Sequence, residues 1–285
     1  MSDSNYWNNR FAENGHTGYK DKFLYAWDQE VRKEIVGKYI QKHIAKKSKI
    51  KHRVLDFGCG VGDFTQLMLD KGLDVTAVDI SEDVVNFMES RFGTGIRAIA
   101  GGGAALEDMD GGYSVIFCIT VLQHIESEHE VGGTLDQFYR LLNDNGVLIV
   151  LELSKQESNS DDAGAYIFGR SERSWISIFN LHRFGLKKKL IYPQTAVKLL
   201  SQIQWLKQVL SSGKKLGEAA EYGIQRSSYT TSNPVVAKNS GMRFFVTKIT
   251  QAFVATLSFI PDKVLRVNIY RELTLPYRLF ILEKK

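Results

Sequence analysis

Residues 54 to 65, VLDFGCGVGDFT, place an acid and three glycines where an apolar run ends. Gly58, Gly60 and Gly62 alternate, and Asp56 stands two residues before the first of them. Glycine lacks Cβ, so it adopts positive φ and lets a ligand approach the backbone. A helix starting near Asp63 adds free N–H groups and the positive end of its dipole. Such a turn is a general seat for an anionic or polar cofactor group. The dinucleotide fingerprint needs its third glycine at position 63, where Asp63 stands instead. A carboxylate at position 56 would repel a pyrophosphate and suits a cationic amino group. Asp79 ends the next apolar run. It can accept both hydroxyls of a ribose, which points to an unphosphorylated ribose. The competing role for Asp79 is capping the next helix, for which Ser81 is also placed.

These residues need elements to hold them. Residues 19 to 47 read as a helix, with Tyr25, Trp27, Val31, Ile35, Val36 and Tyr39 recurring on one face. Strands are expected over 53–58, 74–80, 96–101, 113–119 and 146–153, with helices over 63–72, 81–92 and 131–143 between them. The strands are Val/Ile/Leu-rich rather than alternating, as in a parallel sheet buried on both faces. Strand and helix alternate, so the class is α/β, doubly wound. Past residue 153 the rhythm breaks. A helix is expected over 171–184 and a strand over 186–192. Two helical patterns, 195–211 and about 241–258, are joined by a polar loop, and the chain ends in a strand over 277–284.

The run Asp56-Phe57-Gly58-Cys59-Gly60-Val61-Gly62, followed by Val78-Asp79-Ile80, resembles the class I S-adenosylmethionine-dependent methyltransferases. VLQHI at 121–125 and GVLIVLE at 146–152 extend the resemblance, and YWNNRF at the front and YRLFILEK at the back continue it more loosely. It implies a Rossmann-like seven-stranded sheet with an antiparallel last strand. The chain then divides into an N-terminal helical lid (1–47), a cofactor-binding core (48–192), a helical insertion (193–276) and the last strand (277–285), all one methyltransferase domain. By the same resemblance Gly58 and Gly60 pass under the methionine part of S-adenosyl-L-methionine, with Gly62 completing the turn. Asp56 orients the turn near the amino group, Asp79 holds the ribose and Ile80 flanks the adenine. Ile119 and Thr120 line the methionine side. Many relatives carry an Asp after the third strand to bind adenine, where this chain has Gly103. Adenine would then rest on backbone and apolar walls around Gly103 and Ala104, with Glu107 or Asp108 as substitutes. Tyr113-Ser114 replaces the Phe-Asp that relatives often carry before the fourth strand.

Methyl transfer needs a nucleophile in line with the sulfonium and water excluded. For a hydroxyl acceptor, His124 is the candidate base, against the alternative that it shapes the pocket. Glu152 ends the fifth strand, where open α/β sheets place ligands. It could bind a substrate hydroxyl or amine, or be a salt-bridged or exposed acid. Tyr166, Arg170 and Arg173 follow as possible roof residues, with solvated arginines as the plainer account. Trp7 and Arg10 would touch the cofactor carboxylate or the acceptor if the front segment folds over as a lid; the alternative is an aromatic anchor.

Charge divides the chain. Residues 170 to 285 hold 20 Lys/Arg against 6 Asp/Glu, while residues 1 to 169 hold 17 against 26. The basic half either is a solvated face or meets something anionic. Residues 242 to 267 are apolar and basic; they either pack on the domain as core or form a peripheral membrane contact or a seat for a lipid-linked acceptor. A small-molecule, glycan or lipid-linked acceptor fits this best. No RNA-binding module or Asn-Pro-Pro-Tyr-like tetrapeptide argues for nucleic acid. The front lacks a secretory apolar core, no run reaches the ~18 residues of a membrane span, and the two cysteines, Cys59 and Cys118, read as buried thiols. A cytoplasmic setting, free or associated with a membrane, is expected, with no metal site. The competing functions are a nicotinamide-dependent oxidoreductase or epimerase, which lacks its third glycine and a Tyr-x-x-x-Lys pair, and a non-catalytic relative that keeps the fold as a binding module.

Overall fold

The computed structural model describes residues 4–18, 22–44, 52–154, 167–193 and 276–285. Seven strands form one sheet: β1 (Arg53–Phe57), β2 (Asp74–Asp79), β3 (Arg97–Ala100), β4 (Tyr113–Ile119), β5 (Leu142–Leu153), β6 (Phe184–Pro193) and β7 (Pro276–Lys284). Their order is β3-β2-β1-β4-β5-β7-β6. The first five pair in parallel, and β7 runs antiparallel to both β5 and β6. The helices are α1 (Ser4–Asn14), α2 (Lys22–Ile44), α3 (Asp63–Leu69), α4 (Glu82–Phe92), α5 (Glu128–Leu141) and α6 (Glu172–Leu181). The expected sheet, including its antiparallel last strand, is therefore present.

The central strands β1 and β4 are apolar because they bury both faces, whereas β3 is exposed to half-buried and β6 carries Lys187, Lys188 and Lys189. Val115 and Phe117 of β4 join one core with Val31, Ile35 and Ile40 of α2 and Phe64 and Met68 of α3. Ile116 and Cys118 join the other, with Leu135 and Phe138 of α5 and Trp175 and Phe179 of α6. Successive side chains of a strand point to opposite faces, so each strand feeds both layers. The same alternation appears in β7, where Leu279 and Ile281 join the first core and Phe280 and Leu282 the second.

Some boundaries differ from expectation. The expected front helix is α2, and a further helix, α1, precedes it and ends at Asn14 before Gly15, whose φ is +71°. Trp7 and Arg10 lie on α1, ahead of the long α2. Helix α5 begins at Glu128 because the Ser127 side chain accepts from the Glu130 N–H. Helix α4 starts as expected, with Ser81 accepting from the Val84 N–H. The Tyr113-Ser114 departure has its own partners: the Tyr113 hydroxyl donates to Thr76 Oγ1 at 3.0 Å, and Ser114 Oγ bonds His52 Nδ1 at 2.9 Å. The expected helices in 193–276, their polar loop, the basic apolar surface and Tyr166 lie outside the described residues. Among the described residues no helix is long and apolar enough to cross a membrane.

Candidate active site

The strand order reverses between β1 and β4, and open α/β sheets bind ligands beyond the carboxyl ends of strands at such a point. A cleft of about 930 Å³ opens there. That is near the top of the roughly 300–1,000 Å³ range of small-molecule sites, with room for a cofactor and a second molecule. Its floor is Asp56 to Gly60, its far wall Asp79, Ile80 and Gly101 to Ala104. The near wall is Ile119 to Val121, Gln123 and His124, and α1 and α2 close it with Trp7, Arg10, Tyr25, Asp28, Gln29 and Arg32.

The glycine turn is held by its neighbours. Gly58 has φ +75°, and a Cβ there would lie 2.2 Å from Val121 Cγ2. The Gly58 and Cys59 N–H groups donate to the Val78 carbonyl at 2.7 and 3.0 Å. The Gly60 N–H donates to Asp79 Oδ2 at 2.9 Å, and the Ser81 N–H to Oδ1 at 3.1 Å. Each carboxylate oxygen has a second lone pair, and Asp79 lines the cleft. Burial raises its pKa, opposed by the N–H groups of Ser81, Gly60 and Ile80. Asp56 accepts from Thr65 Oγ1 at 2.7 Å. Its burial, with the neighbouring charges of Asp79 and Asp63 adding to it and Thr65 opposing, pushes its pKa up to about 7.

Gly62 is a correction. Its φ is +81°, but a Cβ would meet Met88 Sδ and Phe92 Cε2 at 2.7 Å, so the glycine serves the close approach of α3 and α4 and lies outside the cleft lining. Glu152 is a second correction. It is fully buried, and its carboxylate accepts from the N–H groups of Val121, Leu122 and Gln123 at 3.0, 2.9 and 3.1 Å. It anchors the turn after β4 and does not line the cleft. Burial pushes its pKa up to about 8 against those three donors. Arg170 is likewise no solvated arginine: it is buried, and its guanidinium donates to the Ile125 and Glu126 carbonyls at 2.8 and 2.9 Å. Arg173 is exposed.

Thr120 sits at φ +59°. A β-branched residue there costs about 1–3 kcal/mol and persists only where its surroundings over-determine it. They do: its N–H donates to the Leu151 carbonyl at 2.7 Å, and its hydroxyl accepts from Arg32 Nη1 at 3.1 Å. Arg32 Nη2 pairs with Asp28 Oδ2 at 2.7 Å, and the Tyr192 hydroxyl donates to the other Asp28 oxygen. Both charged groups are nearly inaccessible, at 7% and 1%.

The remaining expected residues fall as follows. Ile80, Gly103, Ala104, Ile119, Thr120, His124, Trp7 and Arg10 all line the cleft, as does Glu107, whereas Asp108 does not. The His124 and Trp7 rings meet edge to face at 4.8 Å. Arg10 Nε donates to the Thr17 carbonyl at 2.9 Å, pinning the turn between α1 and α2. A Cβ on Gly103 would lie 2.3 Å from Thr134 Oγ1, so α5 leaves no room for an acid there. Sequence reasoning missed Asp28, Gln29, Arg32, Gln123 and Tyr277. Asp28 and Arg32 stand one helical turn apart on a face otherwise read as apolar, which is the signal that was available. Tyr277 carried none, because its place depends on which strand β7 joins.

No metal-holding group of His, Cys, Asp or Glu lies among the described residues. The donor set fits S-adenosyl-L-methionine: a carboxylate with free lone pairs for a diol, buried acids for cationic groups, and a glycine floor. A diphosphate would face Asp56, Asp63 and Asp79 together.

Comparison with known proteins agrees with that chemistry. Residues 12–186 match the family described as "Methyltransferase domain". The chain is 26% identical over 102 residues to the YqeM methyltransferase-named protein of Bacillus subtilis, covering 35% of this chain and 41% of that one. It is 29% identical over 147 residues to glycine/sarcosine N-methyltransferase of Halorhodospira halochloris, covering 49% and 53%. The chain thus spans about half the length of the curated relatives it matches. Among solved structures, phosphoethanolamine N-methyltransferase 2 of Haemonchus contortus in complex with S-adenosyl-L-methionine superposes with a TM-score of 0.53 at 14% identity, covering 99% of this chain and 56% of that one. That likeness is one of fold.

Proposed function

Because the chain belongs to the methyltransferase-domain family, of the class I S-adenosylmethionine-dependent type, we propose that it transfers a methyl group from S-adenosyl-L-methionine to a hydroxyl or amine of a small-molecule, sugar or lipid-linked acceptor, leaving S-adenosyl-L-homocysteine. The observation that carries this is the meeting of the Gly58–Gly60 floor and the Asp79 carboxylate in one cleft. The bound cofactor supplies an electrophilic methyl group. Everything else is positioning by this chain.

Gly58 and Gly60 let the cofactor lie against the backbone, and at position 58 a Cβ would also clash with Val121. Asp79 accepts from the ribose hydroxyls. Ile80 and Gly101 to Ala104 flank the adenine. Asp56 holds the turn and favours a nearby ammonium. Ile119 and Thr120 border the methionine end. Helix α1, with Trp7 and Arg10, covers the cleft from the front and excludes water. The acceptor enters the remaining half, between α2, the turn after β4 and β7.

Titration calorimetry with S-adenosyl-L-homocysteine and with NAD tests the assignment. Binding of the first and not the second is expected. NAD binding, or no binding of either, overturns it.

A further inference from the structure

The chain reverses at Thr120, directly after β4. Glu152 takes the N–H groups of Val121, Leu122 and Gln123, so the backbone turns just before them. Thr120 makes that turn at φ +59°. Glycine occupies this region freely, whereas a β-branched residue is strained there. Two bonds set the threonine side chain. Its hydroxyl proton goes to the Ile119 carbonyl at 2.6 Å. Its oxygen then accepts, and the donor is Arg32 Nη1 at 3.1 Å. A guanidinium can only donate, so the two bonds are mutually consistent. Arg32 itself comes from α2, one helical turn after Asp28, whose Oδ2 holds Nη2 at 2.7 Å. The Tyr192 hydroxyl of β6 donates to the other Asp28 oxygen. One arm of the guanidinium is thus tied to α2 and β6, and the other reaches the turn after β4. The fork is planar and rigid, so fixing one arm places the other. Ile119, Thr120 and Arg32 all line the cleft.

We propose that Arg32, fixed by Asp28, is a positioning residue that holds Thr120 in its left-handed conformation and so shapes the methionine end of the cofactor bed from α2. This rests on the methyltransferase reading above, in which Ile119 and Thr120 border that end. Packing alone does not account for the pair. Taking two charges out of water is costly, and apolar side chains of similar volume often hold two elements together as well or better. What an apolar pair lacks is a donor aimed at the Thr120 hydroxyl. Glu152 gathers the turn from β5, and Arg32 holds its first residue from α2. Docking of α2 and the shape of the bed are therefore one event. A cofactor that needs the bed in this shape favours the docked helix, and the docked helix favours the cofactor by the same factor.

Two measurements on the full chain test this. Asp28→Asn combined with Arg32→Met removes both charges and orphans neither. The dissociation constant of S-adenosyl-L-homocysteine, measured by calorimetry, should then rise at least roughly tenfold. When both chains compared also carry Thr120→Gly, the same removal should cost less than about threefold, because glycine keeps positive φ without a clamp. A pair that only packs costs the same in both backgrounds, and that result overturns the proposal. Wild-type affinity without the pair overturns it too. If the combined variant does not fold, Arg32→Lys carries the same comparison, because it keeps the charge beside Asp28 and lacks the fork that also reaches Thr120. Amide hydrogen exchange reads the turn with no cofactor present. The Thr120 N–H donates to the Leu151 carbonyl at 2.7 Å. Removing the pair should speed its exchange at least roughly tenfold more than that of the Phe117 N–H in the same strand. Equal acceleration of the two, as a general loosening gives, overturns the proposal. Failure of S-adenosyl-L-homocysteine to bind the wild type speaks against the methyltransferase reading instead, and the exchange result then decides the Arg32 assignment alone.

Discussion

Substitution of Asp79 by Asn keeps the size of the side chain and changes what it can accept. In the wild type Oδ2 takes the Gly60 N–H and Oδ1 the Ser81 N–H, at 2.9 and 3.1 Å. The amide retains one acceptor and turns an NH2 toward one of those donors. Leaving one buried N–H unmatched costs about 1–3 kcal/mol, a melting-temperature drop of several degrees for a chain this size. Affinity should fall separately. The ribose hydroxyls lose a charged acceptor, and bonds to charged groups contribute about 1.5–3 kcal/mol. At about 1.4 kcal/mol per decade, the dissociation constant for S-adenosyl-L-homocysteine should rise roughly 10- to 150-fold. Calorimetry measures it. Ser114→Ala is the control for stability, because it removes the bond to His52 at the opposite end of β4, outside the cleft. It should melt lower and bind within about twofold of wild type. Wild-type affinity in Asp79→Asn refutes the ribose assignment. Equal loss of affinity in both variants refutes the argument that the two effects are separable.

Gly58→Ala places a Cβ 2.2 Å from Val121 Cγ2 at φ +75°; S-adenosyl-L-homocysteine affinity should drop more than roughly tenfold, and Val121→Ala added to it should restore part, leaving about 1 kcal/mol of backbone strain. Glu152→Ala orphans three N–H groups, at about 1–3 kcal/mol each; a thermal melt should show a loss of at least roughly 3 kcal/mol, and a shift of only a degree or two would remove Glu152 as the anchor of the turn. Asp56 stays protonated in the folded chain up to about pH 7, whereas its ordinary value is 3.8. The folded state therefore binds the extra proton between those values, and the Asp56 contribution to stability falls as pH rises across that window and levels off above it. Cofactor binding near Asp56 brings an ammonium that ionises it, so calorimetry at pH 6 in two buffers of different ionisation enthalpy should show a proton released, and Asp56→Asn should release none.

The sheet was legible where a strand buries both faces, which writes an unbroken apolar run: 113–119 is β4 to the residue. Helix starts were legible where a side chain caps them, as at Ser81, and displaced where the cap was overlooked, as at Ser127. The glycine floor of the cleft was legible because a glycine turn is local in sequence. The roles of Gly62 and Glu152 were not. Both are set by contacts with distant segments, Met88 and Phe92 for one and the turn at 121–123 for the other. An acid at a strand's carboxyl end points either into the cleft or back under the adjoining turn, and the one-dimensional string is the same in both cases. The acceptor half was least legible. It joins α2, the turn after β4 and β7, and Tyr192 pairs with Tyr277 only once β6 and β7 are side by side.

The buried acids of this chain share one physical role that sorts the cleft by charge. Asp79 gathers the N–H groups of Gly60 and Ser81, Glu152 gathers three after β4, and Asp28 is closed by Arg32 and Tyr192. Burial alone would neutralise such groups; backbone donors oppose this at Asp79 and Glu152, and the Arg32 and Tyr192 side chains oppose it at Asp28. Among the described residues no cation pairs with Asp56, Asp63 or Asp79 on the glycine-turn side of the cleft, whereas Asp28 is paired with Arg32. The cofactor bed is therefore the more negative half. Such a bed favours a sulfonium nucleoside over its uncharged thioether product, by the same Coulomb argument that excludes a diphosphate.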